Sequence, residues 1–146
     1  MFTETTLIED LRNAGLRLTP QRLAICQMLV NNTEHPSAQD IFEHLRPQYP
    51  SLSLTTVYNT LEALVRLGAI HNLGNDVSGT IRYDAETTPH ANLICTSCNR
   101  IIDYHSSYVQ ALTDEVRDAS GYQITGARVL YYGLCDECQA KQQENI

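Results

Sequence analysis

The sequence predicts an α+β chain in two parts, and three observations carry that prediction. Four apolar stretches at helical spacing fill the first half, two short strands with a turn-rich connection follow, and two Cys-x-x-Cys pairs bracket a mixed stretch in the second half. With 146 residues, 42% apolar and 18% charged, the chain is long enough for one ordinary domain or two small ones with real cores, which excludes disorder as a default. No apolar run approaches the ~18 to 20 residues that cross a bilayer. The N-terminus, with Glu4, Glu9 and Asp10, lacks the basic and apolar regions of a signal peptide. A soluble, cytoplasmic protein without a membrane partner is expected, and there paired cysteines read as metal or redox chemistry rather than disulfides.

The first helix is expected over 6–14, closed by Gly15. Thr19 and Pro20 then form an N-cap and a first-turn proline, with Leu23, Ile25, Cys26, Leu29 and Val30 following at helical spacing; Cys26 reads as a core residue. Ser37 and Asp40 resemble a capping box, and Ala38, Ile41, Phe42 and Leu45 make a third amphipathic helix that Pro47 helps to end. Ser53 caps a fourth. Its inward stripe is Val57, Leu61, Leu64 and Leu67, with Thr55, Thr56, Tyr58, Asn59, Glu62 and Arg66 off the stripe and Gly68 as the stop. Residues 69–73 and 80–83 change to strand period around the loop 74–79, a hairpin.

Helices that end in a helix-turn-helix and run into a hairpin make a winged helix, unless they are an ordinary bundle with a polar solvent face. In a winged helix the last helix enters the DNA major groove, where short donors and acceptors are wanted. The net charge of −7 runs against nucleic-acid binding, yet residues 11–33 hold Arg12, Arg17 and Arg22 and no acid, while ten acids lie within 76–144. An uneven solvated surface is the bland alternative. The candidate DNA contacts are Arg17, Arg22, Thr55, Thr56, Tyr58 and Asn59.

In the second half, Cys95 and Cys98 pair with Cys135 and Cys138 across a gap of residues 99–134, the pattern of a four-thiolate zinc site. Two separate redox dithiols would each need a CxxC at a helix start within a βαβ unit, and neither pair has that context. The gap must fold back on itself: 101–105 reads as a strand, 108–119 as a helix with Val109, Leu112 and Val116 inward, and 124–134 as one or two returning strands. A looser set of His35, Asp84, His90, Asp103 and His105 offers imidazole and carboxylate donors suited to Fe(II), Mn(II) or Zn(II). On spacing alone each of these histidines also reads as a surface or hydrogen-bonded residue.

Segments 15–22 (GLRLTPQR), 35–42 (HPSAQDIF), 53–61 (SLTTVYNTL), 82–84 (RYD), 90–98 (HANLICTSC), 102–105 (IDYH) and 132–138 (YGLCDEC) together resemble the ferric uptake regulator family of bacterial metal-dependent repressors. The resemblance implies a winged-helix DNA-binding domain over 1–83, a hinge over 84–90 and an α/β dimerisation domain over 91–146. It also implies a homodimer on a double-stranded DNA operator, structural Zn2+ on the four cysteines, and regulatory Fe2+ or Mn2+ held by His35, Asp84, His90, position 92 and Asp103. Position 92 is Asn where iron- and peroxide-sensing members usually present histidine, which leaves Asn92 or His105 as the remaining ligand. Asp103, where iron sensors carry glutamate, resembles the peroxide-responsive branch, in which peroxide and Fe(II) lead to oxidation of a ligand imidazole. His35 and His90 are the exposed candidates. An iron-, manganese- or zinc-uptake regulator is the alternative within the family. A metal-dependent hydrolase is the remote one, since no general base is evident; a non-enzyme is expected.

Overall fold

Local capping sets where the helices begin. The structure, a computed structural model, describes residues 3–31 and 34–144. It divides into two units, Met1–Asn75 with Thr80–Thr87, and Asp76–Gly79 with Thr88–Ile146.

In the first unit α1 (Glu4–Asn13) starts earlier than expected because Thr3 and Thr6 form a capping box. Helix α2 (Pro20–Asn31) is capped by the Thr19 hydroxyl, which accepts the Arg22 N–H at 3.2 Å. The Ser37–Asp40 box opens α3 (Ala38–Leu45), and Ser53 opens α4 (Leu54–Arg66). Val57, Leu61 and Leu64 are buried as expected, but Leu67 is 44% exposed. It is the C-cap residue, where the chain leaves the helical path in a Schellman turn: Gly68 N–H donates to the Val65 carbonyl and Ala69 N–H to that of Leu64. Gly68 supplies the positive φ of 74° that this turn requires. Because Ala69 is committed to that turn and Ile70 to the core, β1 (His71–Asn75) begins later than expected and pairs antiparallel with β2 (Ile81–Asp84), His71 opposite Asp84. Leu7, Leu11, Ile25, Leu29, Ile41, Val57, Leu61, Leu64 and Ile70 form one core, each contributing about 1.5 to 3 kcal/mol by burial.

In the second unit β3 (Ala91–Cys95) is central, with β4 (Ile101–Tyr104) antiparallel on one side and β5 (Val129–Gly133) parallel on the other. Helix α5 (Ser107–Ser120) links β4 to β5. Of the one or two strands expected over 124–134 the structure has one, and one expectation is corrected: α5 buries no residue, Leu112 being 54% and Val116 45% exposed. Three strands of four or five residues present too small a face to cover the helix within one chain. Helix α6 (Asp136–Glu144) was not expected; its only sequence marks are Asp136 and Glu137 in the first turn and Lys141 in the last, matched to the helix dipole. Among the described residues no helix is long and apolar enough to cross a membrane.

Candidate metal centres

Strand β3 delivers Cys95 to its end, and the turn that follows places Cys98. The Cys95 N–H donates to the Arg100 carbonyl, the Asn99 N–H donates to the Cys95 carbonyl, and Asn99 takes a positive φ of 66°. Parallel pairing sets Cys95 opposite Gly133, and the Thr96 N–H donates to the Gly133 carbonyl at 2.7 Å, so the chain leaving β5 meets the first knuckle with Cys135. Helix α6 then adds Cys138. The four sulfurs lie within 4.8 Å of one another, with Cys98 and Cys135 at 3.9 Å. A zinc tetrahedron with bonds of about 2.3 Å has edges of about 3.8 Å, so the donors fit the ion. The N–H groups of Cys135 and Cys98 donate to Cys95 Sγ at 3.4 and 3.5 Å and bring its pKa down to about 5. Cys138, hydrogen-bonded to the Cys135 sulfur, is pushed up to about 12. Four sulfurs this close do not all ionise without a cation among them.

The nitrogen and oxygen donors fall in two sets. In the first unit His35 Nε2 is 3.5 Å from Asp84 Oδ2, both residues buried, with His35 held at φ 58°. In the second unit β3 and β4 place Asn92 opposite Asp103, and the Asn92 Nδ2 donates to Asp103 Oδ1 at 3.5 Å. His90 Nε2 is 3.4 Å from the same Oδ1. Its Nδ1 lies 2.7 Å from the Thr88 carbonyl, which in neutral histidine puts the ring proton on Nδ1 and a lone pair on Nε2. Nε2 and a carboxylate oxygen then face each other as two acceptors, an arrangement that fits a cation between them. His105 stacks on His90, ring centroids 5.2 Å apart. The expectation of exposed imidazoles is corrected: His35 and His90 are 3% and 5% exposed, one seated on β2 and the other beneath His105.

Of the proposed DNA contacts, Thr55, Tyr58 and Asn59 are exposed on α4, and Arg17 is exposed before α2. Thr56 is half-buried, with its hydroxyl 3.0 Å from that of Ser53. Arg22 turns inward. Its guanidinium donates to the Arg17 carbonyl, and its Nε is buried with no hydrogen-bond partner. Two supports of the donor sets escape sequence reading. The Thr88 carbonyl under His90 is a backbone group with no sequence signature, and Arg82, which donates to the His35 carbonyl, is flagged only by its place in the 82–84 segment.

A helix-turn-helix followed by a hairpin wing, joined to a small sheet that gathers four cysteines, defines a winged-helix protein with a thiolate metal centre. The chain belongs to the ferric uptake regulator family, whose model matches residues 13–132. It is 35% identical over 134 residues to the peroxide-responsive repressor PerR of Staphylococcus saprophyticus, a match covering 92% of this chain and 90% of that protein. It is similar to the solved structure of PerR from Streptococcus pyogenes, with 36% identity, a TM-score of 0.52 and 95% of both chains covered. The Helicobacter pylori ferric uptake regulator Fur shares the fold, with a TM-score of 0.75 at 24% identity over 94% of both chains.

Proposed function

We propose that the chain is a metal-dependent transcriptional repressor, a homodimer that binds double-stranded DNA and releases it in response to peroxide. The observation that carries this reading is the division of the donors: His35 and Asp84 belong to one unit, and His90, Asn92 and Asp103 to the other. One regulatory Fe(II) or Mn(II) ion that takes ligands from both sets selects one relative orientation of the two units, so metal binding and the DNA-competent shape become linked. Such coupling is worth about 1 to 3 kcal/mol, or roughly 5- to 150-fold in DNA affinity. Zinc on Cys95, Cys98, Cys135 and Cys138 serves the fold rather than the signal. Bound Fe(II) supplies a one-electron reductant for peroxide, which Mn(II) does not readily do. The chain's part is to hold His35 and His90 beside that ion. The named peroxide-responsive relative supports the signal, and the exposed Leu112, Val116 and Tyr131 support association of two chains.

Gel shift with and without metal, followed by mass spectrometry after peroxide, tests the reading. Mn(II)-loaded protein is expected to bind operator DNA and stay unmodified in peroxide. Fe(II)-loaded protein is expected to gain one oxygen on His35 or His90 and let go. Tyr58→Ala and Arg17→Ala should each weaken DNA binding by about 1 to 3 kcal/mol at unchanged metal content, Arg17→Ala also flattening the salt dependence. DNA binding indifferent to metal would sink the proposal. Oxidised cysteines beside intact histidines would replace peroxide sensing at the metal with thiol sensing.

A further inference from the structure

We propose that Arg82 is the positioning residue of the regulatory metal site, an inference that rests on the ligand roles given above to His35 and Asp84. Three successive residues of β2 hold three successive residues of the loop that carries His35. The Arg82 guanidinium donates through Nε to the His35 carbonyl at 2.5 Å and through Nη2 to the Glu34 carbonyl at 2.7 Å. The Tyr83 N–H donates to the Pro36 carbonyl at 3.1 Å, and the Asp84 carboxylate lies 3.5 Å from His35 Nε2.

The geometry of the two Arg82 bonds is specific. The Glu34 and His35 carbonyls belong to the two peptide planes that flank the His35 Cα, so gripping both fixes φ and ψ at that one residue. That residue needs fixing: His35 sits at φ 58°, a left-handed conformation that a side-chain-bearing residue rarely adopts. Released, the backbone relaxes towards ordinary φ values and swings the imidazole away from Asp84. A planar guanidinium reaches two carbonyls at once from one rigid fork, whereas a lysine ammonium is a point charge on a flexible stem. Arg82 therefore acts on the metal through His35 and need not touch it.

The test is Mn(II) titration of the full-length protein with its cysteines zinc-filled, free Mn(II) being read by its EPR signal. Arg82→Ala is expected to weaken Mn(II) binding about 10- to 100-fold, the range found when groups that orient metal ligands are removed. Arg82→Lys should recover part of that loss, and zinc should stay at the wild-type level in both. The deciding measurement is the double variant. If Arg82 acts through His35, then His35→Ala with Arg82→Ala loses no more affinity than His35→Ala alone, whereas a general structural effect would add in full. Wild-type affinity in Arg82→Ala, or full additivity in the pair, overturns the positioning role and leaves the metal site standing. Wild-type affinity in His35→Ala removes the ligand assignment and this inference with it. Should Arg82→Ala fail to fold, Arg82→Lys carries the same cycle.

Discussion

The two units of this chain are held together by different physics. In the first, Leu7, Leu11, Ile25, Leu29, Ile41, Val57, Leu61, Leu64 and Ile70 are at most 1% exposed, while the buried apolar residues of the second-unit sheet and its flanks are Ala91, Ile94, Cys95, Ile101 and Cys138, none of them a large side chain closed off completely. Helix α5 buries nothing, and Tyr104, Tyr108, Leu112, Tyr131 and Tyr132 are all more than half exposed. The lesson is that apolar burial suffices for the first unit, whereas the second, with little apolar surface closed off within the chain, is left to draw stability from ligation at its four cysteines.

Removing a cysteine is the strongest way to sharpen that contrast. Cys95→Ser or Cys138→Ser is expected to release zinc, melt the second-unit sheet and abolish the dimer, since ligation free energies of about 10 to 16 kcal/mol are folding free energies in small thiolate domains. Metal analysis, circular dichroism and gel filtration report all three, and the helical signal of the first unit should survive. A zinc-free variant that stays dimeric breaks the comparison. A smaller effect comes from one leucine truncation in each unit. Leu61→Ala should cost about 2 to 5 kcal/mol in denaturant unfolding, because it leaves a cavity in a closed core. Leu112→Ala should stay within about 0.5 kcal/mol for the single chain and show itself in dimer dissociation on dilution. Equal losses at both positions would mean that the second unit has a core of its own.

The smallest effect concerns a thiol. Burial, with Glu4 and Asp10 nearby, pushes Cys26 up to about 12 from the ordinary 9.0, so the fold favours its neutral form. Its contribution to stability is then complete below pH 9.0 and lost as pH rises towards about 12. Alkaline unfolding of wild type against Cys26→Ala should show wild type losing ground only in that window. A thiol reagent at neutral pH should leave Cys26 unmodified in the folded protein. Rapid modification would show that the core of the first unit opens.

What the sequence discloses is local or evenly spaced. Ser37 with Asp40, and Ser53, announce their helices because a cap is settled within four residues. The cysteine pairs announce themselves by spacing, and the fold brings all four sulfurs together. Long-range packing is what stays hidden. Leu112 and Val116 have the pattern of an inward face, and no pattern says that the chain leaves them exposed. The loop carrying His35 is held by Arg82, 47 positions away, and the stacking of His105 on His90 depends on the register that sets Ala91 opposite Tyr104. Helix α6 is short and has only Cys138 and Ala140 as apolar residues, so it carries no apolar period to detect.

Strand β3 carries Asn92 near one end and Cys95 at the other, about 10 Å apart along a backbone paired on both sides. A strand so short and so thoroughly paired transmits disorder at one end to the other. Loss of order at the cysteine end of β3 is therefore expected to loosen the pairing of Asn92 with Asp103 at the other end as well.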